Sequence, residues 1–161
     1  MSKDIKISMI GCGKLGLPCA EMMAEKFEVM GYDIVPFASD TVSIAPDIKS
    51  AVNFANVIFV AVPTPHDKLY GGERPTSGLP TKDFDYSIVQ NVLIEANKYL
   101  TNDKLLVLIS TCLPGTVRNK LAPLITNGKF IYSPYLIAMG SVKWDMVNPE
   151  MVIIGTKTGV S

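Results

Sequence analysis

The residues best suited to chemistry lie near the start of the chain, in a glycine-rich turn after an apolar stretch. Residues 5–10 lead directly into Gly11-Cys12-Gly13-Lys14-Leu15-Gly16. Gly11 allows a tight turn, Gly13 lets the backbone approach a pyrophosphate, and Gly16 lets the following helix pack closely on the strand. The first N–H groups of that helix point toward the phosphates. The spacing predicts a dinucleotide-binding turn, with a plain strand-to-helix connection as the alternative.

An acidic residue closes the next apolar stretch and extends this interpretation. Asp33 follows residues 27–32, and a carboxylate about 20 residues after such a turn accepts hydrogen bonds from the adenosine ribose hydroxyls. The carboxylate repels a 2′-phosphate, and the following Ile34-Val35-Pro36 supplies no arginine to hold one. We therefore expect NAD rather than NADP as the cofactor.

Strand and helix signals alternate along the chain and indicate which elements position this turn. The predicted strands are residues 5–10, 27–32, 41–44, 57–62, 105–109, 130–132 and 151–154. The predicted helices are residues 14–26, 47–53, 84–100, one that ends near Ile125, and 136–146. Residues 57–62 and 105–109 are unbroken apolar runs, typical of parallel strands covered on both faces. The pattern predicts an α/β fold: a Rossmann-type, doubly wound, mainly parallel sheet with helices on both faces, forming a single domain over residues 1–161.

The third predicted helix carries an apolar stripe that we expect to face the sheet. The stripe consists of Ile88, Val92, Ala96 and Tyr99. Asp83 and Asp85 lie near the positive end of this helix, where negative charge is stabilising.

Ligands of open parallel sheets bind beyond the carboxyl ends of the strands, and this rule selects two further turns. Pro63-Thr64-Pro65 follows the fourth predicted strand and Ser110-Thr111 the fifth. The hydroxyls of Thr64, Ser110 and Thr111 are candidates to bind a nucleotide or a water, with capping of the following helices as an equal alternative for each. Thr116 is predicted to cap a helix rather than to bind a ligand.

The composition argues against several classes of protein. Fifteen basic and fifteen acidic residues give a formal net charge of zero, so nothing favours nucleic acid or an anionic membrane as a partner. No apolar stretch approaches the roughly 20 residues of a membrane helix, and the first residues lack a signal-peptide pattern. Cys12, Cys19 and Cys112 show neither a disulfide framework nor metal-ligand spacing. We expect reduced thiols, no metal site and a cytoplasmic protein, with Cys19 in the core and Cys112 not a nucleophile.

Residues 63–81 form a long segment rich in proline and glycine, a kind of loop that is usually functional or mobile. His66, Lys68 and Arg74 lie in this loop. A solvated loop surface is the favoured interpretation of the three, and contact with an anionic substrate is the alternative.

Five segments occur in an order that distinguishes this chain from other proteins with a glycine turn. They are Gly11 to Pro18, Gly31-Tyr32-Asp33, Val62-Pro63-Thr64-Pro65, Ser110-Thr111 with Pro114-Gly115-Thr116, and Asp145 to Gly155. Together they resemble the UDP-glucose/GDP-mannose dehydrogenase family over nearly the whole chain. Members of that family oxidise the primary alcohol of a nucleotide sugar to a carboxylate in two NAD-dependent steps, through a thioester-level intermediate on a cysteine.

The resemblance implies roles for individual residues. The expected cofactor-binding residues are Gly11, Gly13, Lys14, Leu15 and Gly16 at the pyrophosphate, Asp33 at the ribose, and Val62, Pro63, Thr64, Ser110 and Thr111 toward the nicotinamide. Thr111 also matches a family threonine that helps to position the catalytic water, so it is the candidate catalytic residue.

The chain also departs from the family pattern. Tyr135 and Met139 stand where family members carry carboxylates near the sugar. The stretch between Asp33 and Val57 is shorter and lacks one helix, which we expect to open the adenine side of the pocket. The resemblance is to the N-terminal domain alone, so we expect no counterpart here to the helical middle region and C-terminal domain of the family, and Cys112 is not at the position of the family nucleophile.

The resemblance therefore implies the NAD-binding domain of a nucleotide-sugar 6-dehydrogenase that does not complete the oxidation alone. In one version a second chain supplies the missing catalytic half, as in a split enzyme. In another the chain is a non-catalytic nucleotide-binding or interaction module. A third hypothesis is a small reductase that acts on another substrate, with His66 as its only candidate for a general acid near neutral pH.

Overall fold

Six parallel strands form one sheet in a computed structural model that describes residues 5–72, 75–138 and 140–156. The strands are β1 (Lys6–Ile10), β2 (Glu28–Tyr32), β3 (Ser43–Ile44), β4 (Val57–Val60), β5 (Leu105–Leu108) and β6 (Lys129–Tyr132). Their order across the sheet is β3-β2-β1-β4-β5-β6. β2 and β3 therefore lie on one side of β1, and β4, β5 and β6 lie on its other side. Ile10 at the end of β1 pairs with Tyr32 of β2 and Val60 of β4, so these three strands end at the same level. The predicted doubly wound parallel sheet is confirmed.

Helices cover both faces of this sheet. The helices are α1 (Gly16–Ala24), α2 (Ile48–Phe54), α3 (Ser87–Asn97) and α4 (Val142–Val147). Met9 of β1 packs with α1 and α4, whereas the adjacent Ile10 packs with α2 and α3, because successive strand residues point to opposite faces. No helix among the described residues has the length and apolar character needed to cross a bilayer.

Polar side chains define the ends of α2 and α3, the helices on the face of the sheet to which Ile10 points. The Asp47 carboxylate accepts a hydrogen bond from the N–H of Ser50 and begins α2, and Asp85 accepts one from the N–H of Ser87 at the start of α3. At the other end of α2, the Lys104 ammonium donates to the carbonyls of Val52 and Ala55. The two aspartates fix where α2 and α3 begin, and Lys104 ties the end of α2 to the residue that precedes β5.

The predicted stripe of α3 is only partly correct, because Ala96 is buried and Val92 and Tyr99 are partly buried against the core, whereas Ile88 is not part of the core. The buried residues of α3 are Val89, Leu93 and Ala96, whereas Ile88 is 39% exposed. Positions 88 and 89 are both apolar, so the apolar surface of α3 is wider than the face that can contact the sheet, and the sequence does not show which part is buried. Packing against β4 and β5 decides this: Val89 faces the sheet and Ile88 faces solvent.

The segment after β5 has no regular α-helix. Val117–Leu121 forms a π-helical turn and Ala122–Leu124 a 3₁₀ turn, where a helix ending near Ile125 was predicted. Pro123 has no N–H to continue a helical hydrogen-bond ladder, which accounts for the irregular end.

The predictions for the last part of the chain are wrong in two places. Residues 151–154 do not form a strand, and Gly155 joins the sheet only through an isolated antiparallel bridge to Tyr132. The predicted helix 136–146 is reduced to α4, because the Asp145 carboxylate accepts hydrogen bonds from the Ala138 N–H and the Ser141 hydroxyl and holds the preceding residues in a turn.

No helix lies between β2 and β3, as the short sequence between Asp33 and Val57 predicts. The connection is an irregular loop whose Phe37 ring lies against Gly31, where an added Cβ would come within 2.8 Å of the ring. The loop thus covers the end of β2 with one aromatic side chain in place of a helix.

Candidate functional site

The glycine turn after β1 combines two crowded positions with one open position. Gly11 has φ +97°, and a Cβ there would lie 2.5 Å from the Ala61 carbonyl oxygen. A Cβ on Gly16 would lie 1.7 Å from the carbonyl oxygen of Gly11. At Gly13, by contrast, no atom of the described residues comes within 4 Å of an added Cβ. The turn therefore needs Gly11 and Gly16 for its own packing, and it leaves free space above Gly13.

Asp33 at the end of β2 lies against this turn. Its Oδ2 accepts a hydrogen bond of 2.7 Å from the N–H of Cys12, and its Oδ1 accepts one of 2.9 Å from the N–H of Val35. The side chain is only partly buried, and each carboxylate oxygen retains a lone pair for another donor. The acid and the turn, 21 residues apart in the sequence, are thus brought into direct contact.

Two further predicted turns follow the neighbouring strands β4 and β5. Thr64 is partly buried and Thr111 is exposed. Ser110 is buried, and its hydroxyl donates to the Val62 carbonyl over 2.7 Å. The capping alternative for Ser110 is therefore wrong, because its hydroxyl ties the end of β5 to the segment after β4.

The strand order places these groups in a row. Asp33 follows β2, the glycine turn follows β1, Thr64 lies beyond β4, and Thr111 lies beyond β5, and these four strands are adjacent. Since neighbouring strands lie about 4.8 Å apart, the row is roughly 14 Å long. Lys14 is exposed at the turn, and with Pro18 and residues 140–144 it lines an open cavity of about 500 Å³.

The long loop after β4 presents His66 and Lys68 to solvent, in agreement with the favoured interpretation of these two residues. Asp67 and Lys82 form an ion pair of 2.6 Å, and the Tyr70 hydroxyl donates to the Pro80 carbonyl. These two contacts tie the ends of the loop together. Arg74 lies outside the described residues.

The three thiols have no partner thiol, and burial keeps them protonated. Cys19 is fully buried, as predicted, and burial raises its pKa to about 12. Burial, with a smaller effect of Asp33, raises the pKa of Cys12 to about 12 as well. Burial and then Asp83 raise the pKa of Cys112 to about 11, so this thiol is a weak nucleophile at neutral pH.

Tyr135 packs inward instead of presenting a polar group at the site. It is partly buried against the cluster formed by α1, β1 and α4, and this burial raises the pKa of its hydroxyl. Met139, the other residue at a family carboxylate position, lies outside the described residues.

The sequence did not predict the hydrogen bonds that Thr116, Tyr86 and Tyr132 make in and around the loop after β5. Thr116 makes no capping bond, so its predicted role is wrong, and its buried hydroxyl donates to the hydroxyl oxygen of Tyr86 over 3.4 Å. The Tyr86 and Tyr132 hydroxyls accept hydrogen bonds from the N–H groups of Leu113 and Cys112. No local motif marks these tyrosines, because each partner is at least 20 residues away along the chain.

The parallel sheet with reversed strand order, the glycine turn and the adjoining carboxylate define a dinucleotide-binding domain of the doubly wound class. Residues 35–161 match the sequence pattern of the family described as "UDP-glucose/GDP-mannose dehydrogenase family, NAD binding domain". The chain belongs to this family as its NAD-binding domain, and the predicted resemblance and cofactor are confirmed. The glycine turn and Asp33 precede the matched range.

A curated relative and two solved structures are similar to this chain. UDP-N-acetyl-D-mannosamine dehydrogenase of Methanocaldococcus jannaschii is 27% identical over 175 positions, which cover 93% of this chain and 39% of the relative. GDP-mannose dehydrogenase from Pseudomonas aeruginosa superimposes with a TM-score of 0.75 at 24% identity, covering 93% of this chain and 40% of the other. UDP-glucose dehydrogenase from Pyrobaculum islandicum gives a TM-score of 0.78 at 20% identity, covering 98% and 42%. These two structures show that the fold is shared.

The alignments also compare the length of this chain with the lengths of its relatives. The chain spans about 40% of the length of the curated relatives it matches. The aligned regions are 182 and 175 positions long, more than the 161 residues of this chain. The relatives therefore carry residues within the aligned region that have no counterpart in this chain.

Proposed function

We propose that this chain binds NAD along the carboxyl ends of β2, β1, β4 and β5, as the cofactor half of a nucleotide-sugar 6-dehydrogenase. The contact between Asp33 and the Cys12 N–H carries the proposal, because it sets a carboxylate beside the turn that accepts the pyrophosphate. In this arrangement the Asp33 carboxylate accepts hydrogen bonds from the hydroxyls of the adenosine ribose. The proposed pyrophosphate contacts are the backbone of Gly11, Gly13, Lys14, Leu15 and Gly16, and the nicotinamide contacts are Val62, Pro63, Thr64, Ser110 and Thr111.

The geometry of the turn supports this fit. The space above Gly13 admits a phosphate close to the backbone. The Leu17 N–H already donates to the Gly13 carbonyl over 3.1 Å, so the proposed phosphate contacts are the N–H groups of the turn that precede Leu17. The positive end of α1 favours a negative ligand at this place. Bound NAD supplies a hydride acceptor. In this proposal the protein binds and orients the cofactor, and the exposed Thr111 hydroxyl helps to position a water.

We also propose that the chain does not complete the oxidation by itself. Cys112 is held protonated, and Tyr135 packs into the core at a family carboxylate position. A second chain that supplies a nucleophilic cysteine and most of the sugar contacts would complete the site.

An exposed apolar surface near α4 supports such a partner. Trp144 and Val147 of α4 are 68% and 57% exposed, and Val152 is 66% exposed. Leu136 and Met151 line one cavity together with Val152, and Ile154 is also exposed. Large exposed apolar side chains that cluster in this way mark interaction sites. Reduced, unpaired cysteines support the further proposal that the protein works in the cytoplasm.

Calorimetric titration tests the cofactor proposal directly. We expect NAD to bind, and NADP to bind at least about tenfold more weakly because Asp33 repels its 2′-phosphate. Asp33→Ala should weaken NAD binding about tenfold or more, since a hydrogen bond to a charged group is worth about 1.5–3 kcal/mol. Asp40→Ala, which removes an exposed acid from the same connection, is the matched control and should leave affinity unchanged. Absence of NAD binding, or equal binding of NADP, contradicts the proposal.

A turnover assay separates the two versions of the function. With UDP-glucose and NAD, the chain alone should form no NADH, whereas a co-purifying chain of the missing type should restore NADH formation. Turnover by the chain alone would overturn the need for a partner. The burial of Tyr135 favours the second candidate, a non-catalytic NAD-binding module, which predicts cofactor binding without turnover whatever partner is added.

A further inference from the structure

Two tyrosine hydroxyls hold the loop that follows β5. Tyr132, the last residue of β6, accepts a hydrogen bond of 3.2 Å from the Cys112 N–H. Tyr86, immediately before α3, accepts one of 3.0 Å from the Leu113 N–H. Ser110 is tied to the Val62 carbonyl on the other side. Thr111 therefore lies between anchored neighbours while its own side chain remains exposed.

The hydroxyl of Tyr86 is itself held in one direction. Tyr86 is only 5% exposed, and hydrogen bonds from Lys120 and then from Tyr86 lower the pKa of the Asp83 carboxyl. The two lone pairs of the Tyr86 hydroxyl oxygen accept from the Leu113 N–H and the Thr116 hydroxyl, which fixes the oxygen between these two partners. The Lys120 ammonium lies 5.6 Å from the centre of the Tyr86 ring and 2.8 Å from Asp83, so it contacts both the ring and the carboxylate.

The strand order assigns this loop to one half of the bound dinucleotide. Asp33 at β2 marks the adenosine side, and the glycine turn at β1 marks the pyrophosphate. The other nucleoside must then extend away from β2, over the ends of β4 and β5. Cys112 and Leu113 directly follow the last residues of β5, so the anchored loop underlies the nicotinamide half.

We propose that Tyr86 and Tyr132 are positioning residues for the nicotinamide end of the site. They act through the backbone N–H groups of Leu113 and Cys112, which set the place of Thr111. Neither tyrosine needs to touch the cofactor. This inference rests on the proposed NAD binding and adds the residues that shape one half of that site.

Paired titrations with NAD and ADP-ribose test the inference, because ADP-ribose lacks the nicotinamide. In Tyr86→Phe and Tyr132→Phe, we expect NAD affinity to fall about three- to tenfold through loss of one hydrogen bond, while ADP-ribose affinity stays within about twofold. Tyr99→Phe is the matched control, because the Tyr99 hydroxyl donates to Glu95 on α3 and does not contact the loop. A purely structural role would lower the melting temperature and leave the ratio of the two affinities unchanged.

Amide hydrogen exchange provides a second measurement that does not depend on NAD. Tyr132→Phe should speed exchange at Cys112, and Tyr86→Phe should speed exchange at Leu113, with no change in Tyr99→Phe. An unchanged affinity ratio in both variants, or equal losses for NAD and ADP-ribose, overturns the inference. Wild-type protein that binds ADP-ribose as tightly as NAD overturns it too, but leaves the adenosine half of the proposed function standing. Wild-type protein that binds neither ligand overturns both proposals.

Discussion

Gly16 at the start of α1 lies directly against Gly11 at the end of the preceding strand, and a Cβ on Gly16 would stand 1.7 Å from the Gly11 carbonyl oxygen. The obstacle is backbone, which cannot move aside like the end of a flexible side chain. The close approach of α1 to β1 therefore depends on the absence of one methyl group.

Gly16→Ala should destabilise the fold severely, by about 4 kcal/mol or more, because overpacking against backbone displaces α1 from the sheet. Urea denaturation followed by circular dichroism measures this effect. A loss below about 1 kcal/mol would show that α1 moves away from β1 at little cost.

Gly13→Ala is the matched substitution in the same turn, and we expect it to separate binding from stability. The added methyl group enters free space, so the free energy of unfolding should change by less than about 1 kcal/mol. NAD affinity should nevertheless fall at least about tenfold, because the methyl group occupies the place proposed for the pyrophosphate. Unaltered NAD affinity in this variant would place the pyrophosphate elsewhere.

Asp33→Ala should also lower stability in the absence of ligand. The Cys12 and Val35 N–H groups lose their acceptor, which costs about 1–3 kcal/mol where the donor is buried. Thermal and chemical unfolding of Asp33→Ala, with Asp40→Ala for comparison, measure this loss. Equal stability of the two variants would mean that water replaces the carboxylate without cost.

Lys104→Met should loosen the end of α2. The ammonium donates to the carbonyls of Val52 and Ala55 at 2.7 and 2.6 Å, and its removal leaves them without these donors. We expect a loss of about 1–2 kcal/mol in the free energy of unfolding, with NAD affinity unchanged. Lys98→Met, which removes an exposed ion pair with Glu95 on α3, should have a smaller effect. A loss no larger than that of the control would exclude a capping role.

Stability should fall as the solution becomes alkaline. The Cys19 thiol has an ordinary pKa of 9.0 and a folded pKa of about 12, so above pH 9 the unfolded chain releases a proton that the folded protein keeps. The stabilisation is complete below pH 9 and is lost as the pH rises toward 12, at about 1.4 kcal/mol per pH unit for each such thiol. Cys19→Ala should be less stable at pH 8 because of the cavity, but its stability should decline less steeply above pH 9. Parallel declines in the two proteins would contradict this linkage.

The glycine turn and its carboxylate could be predicted because the signals are local and each has one physical cause. Gly11 needs a positive φ, Gly16 needs close packing, and Asp33 lies at the spacing set by one strand, one helix and a second strand. The same holds for β4 and β5, whose apolar runs are long enough for strands and too short for helices. Where apolar residues cover more than one side of a helix, as in α3, the sequence does not show which side is buried.

By itself the sequence determined the alternation of strands and helices through β5, the parallel sheet and the glycine turn with its neighbouring acid, because these depend on patterns within about 20–30 neighbouring residues. Only the tertiary structure decided which face of α3 is buried, that residues 151–154 stay outside the sheet, and that Tyr86 and Tyr132 anchor the loop carrying Thr111. Each of these depends on groups that are distant in the chain and compete for the same space or the same hydrogen-bonding partner. Such competition is resolved when the elements pack, and no single segment encodes its outcome.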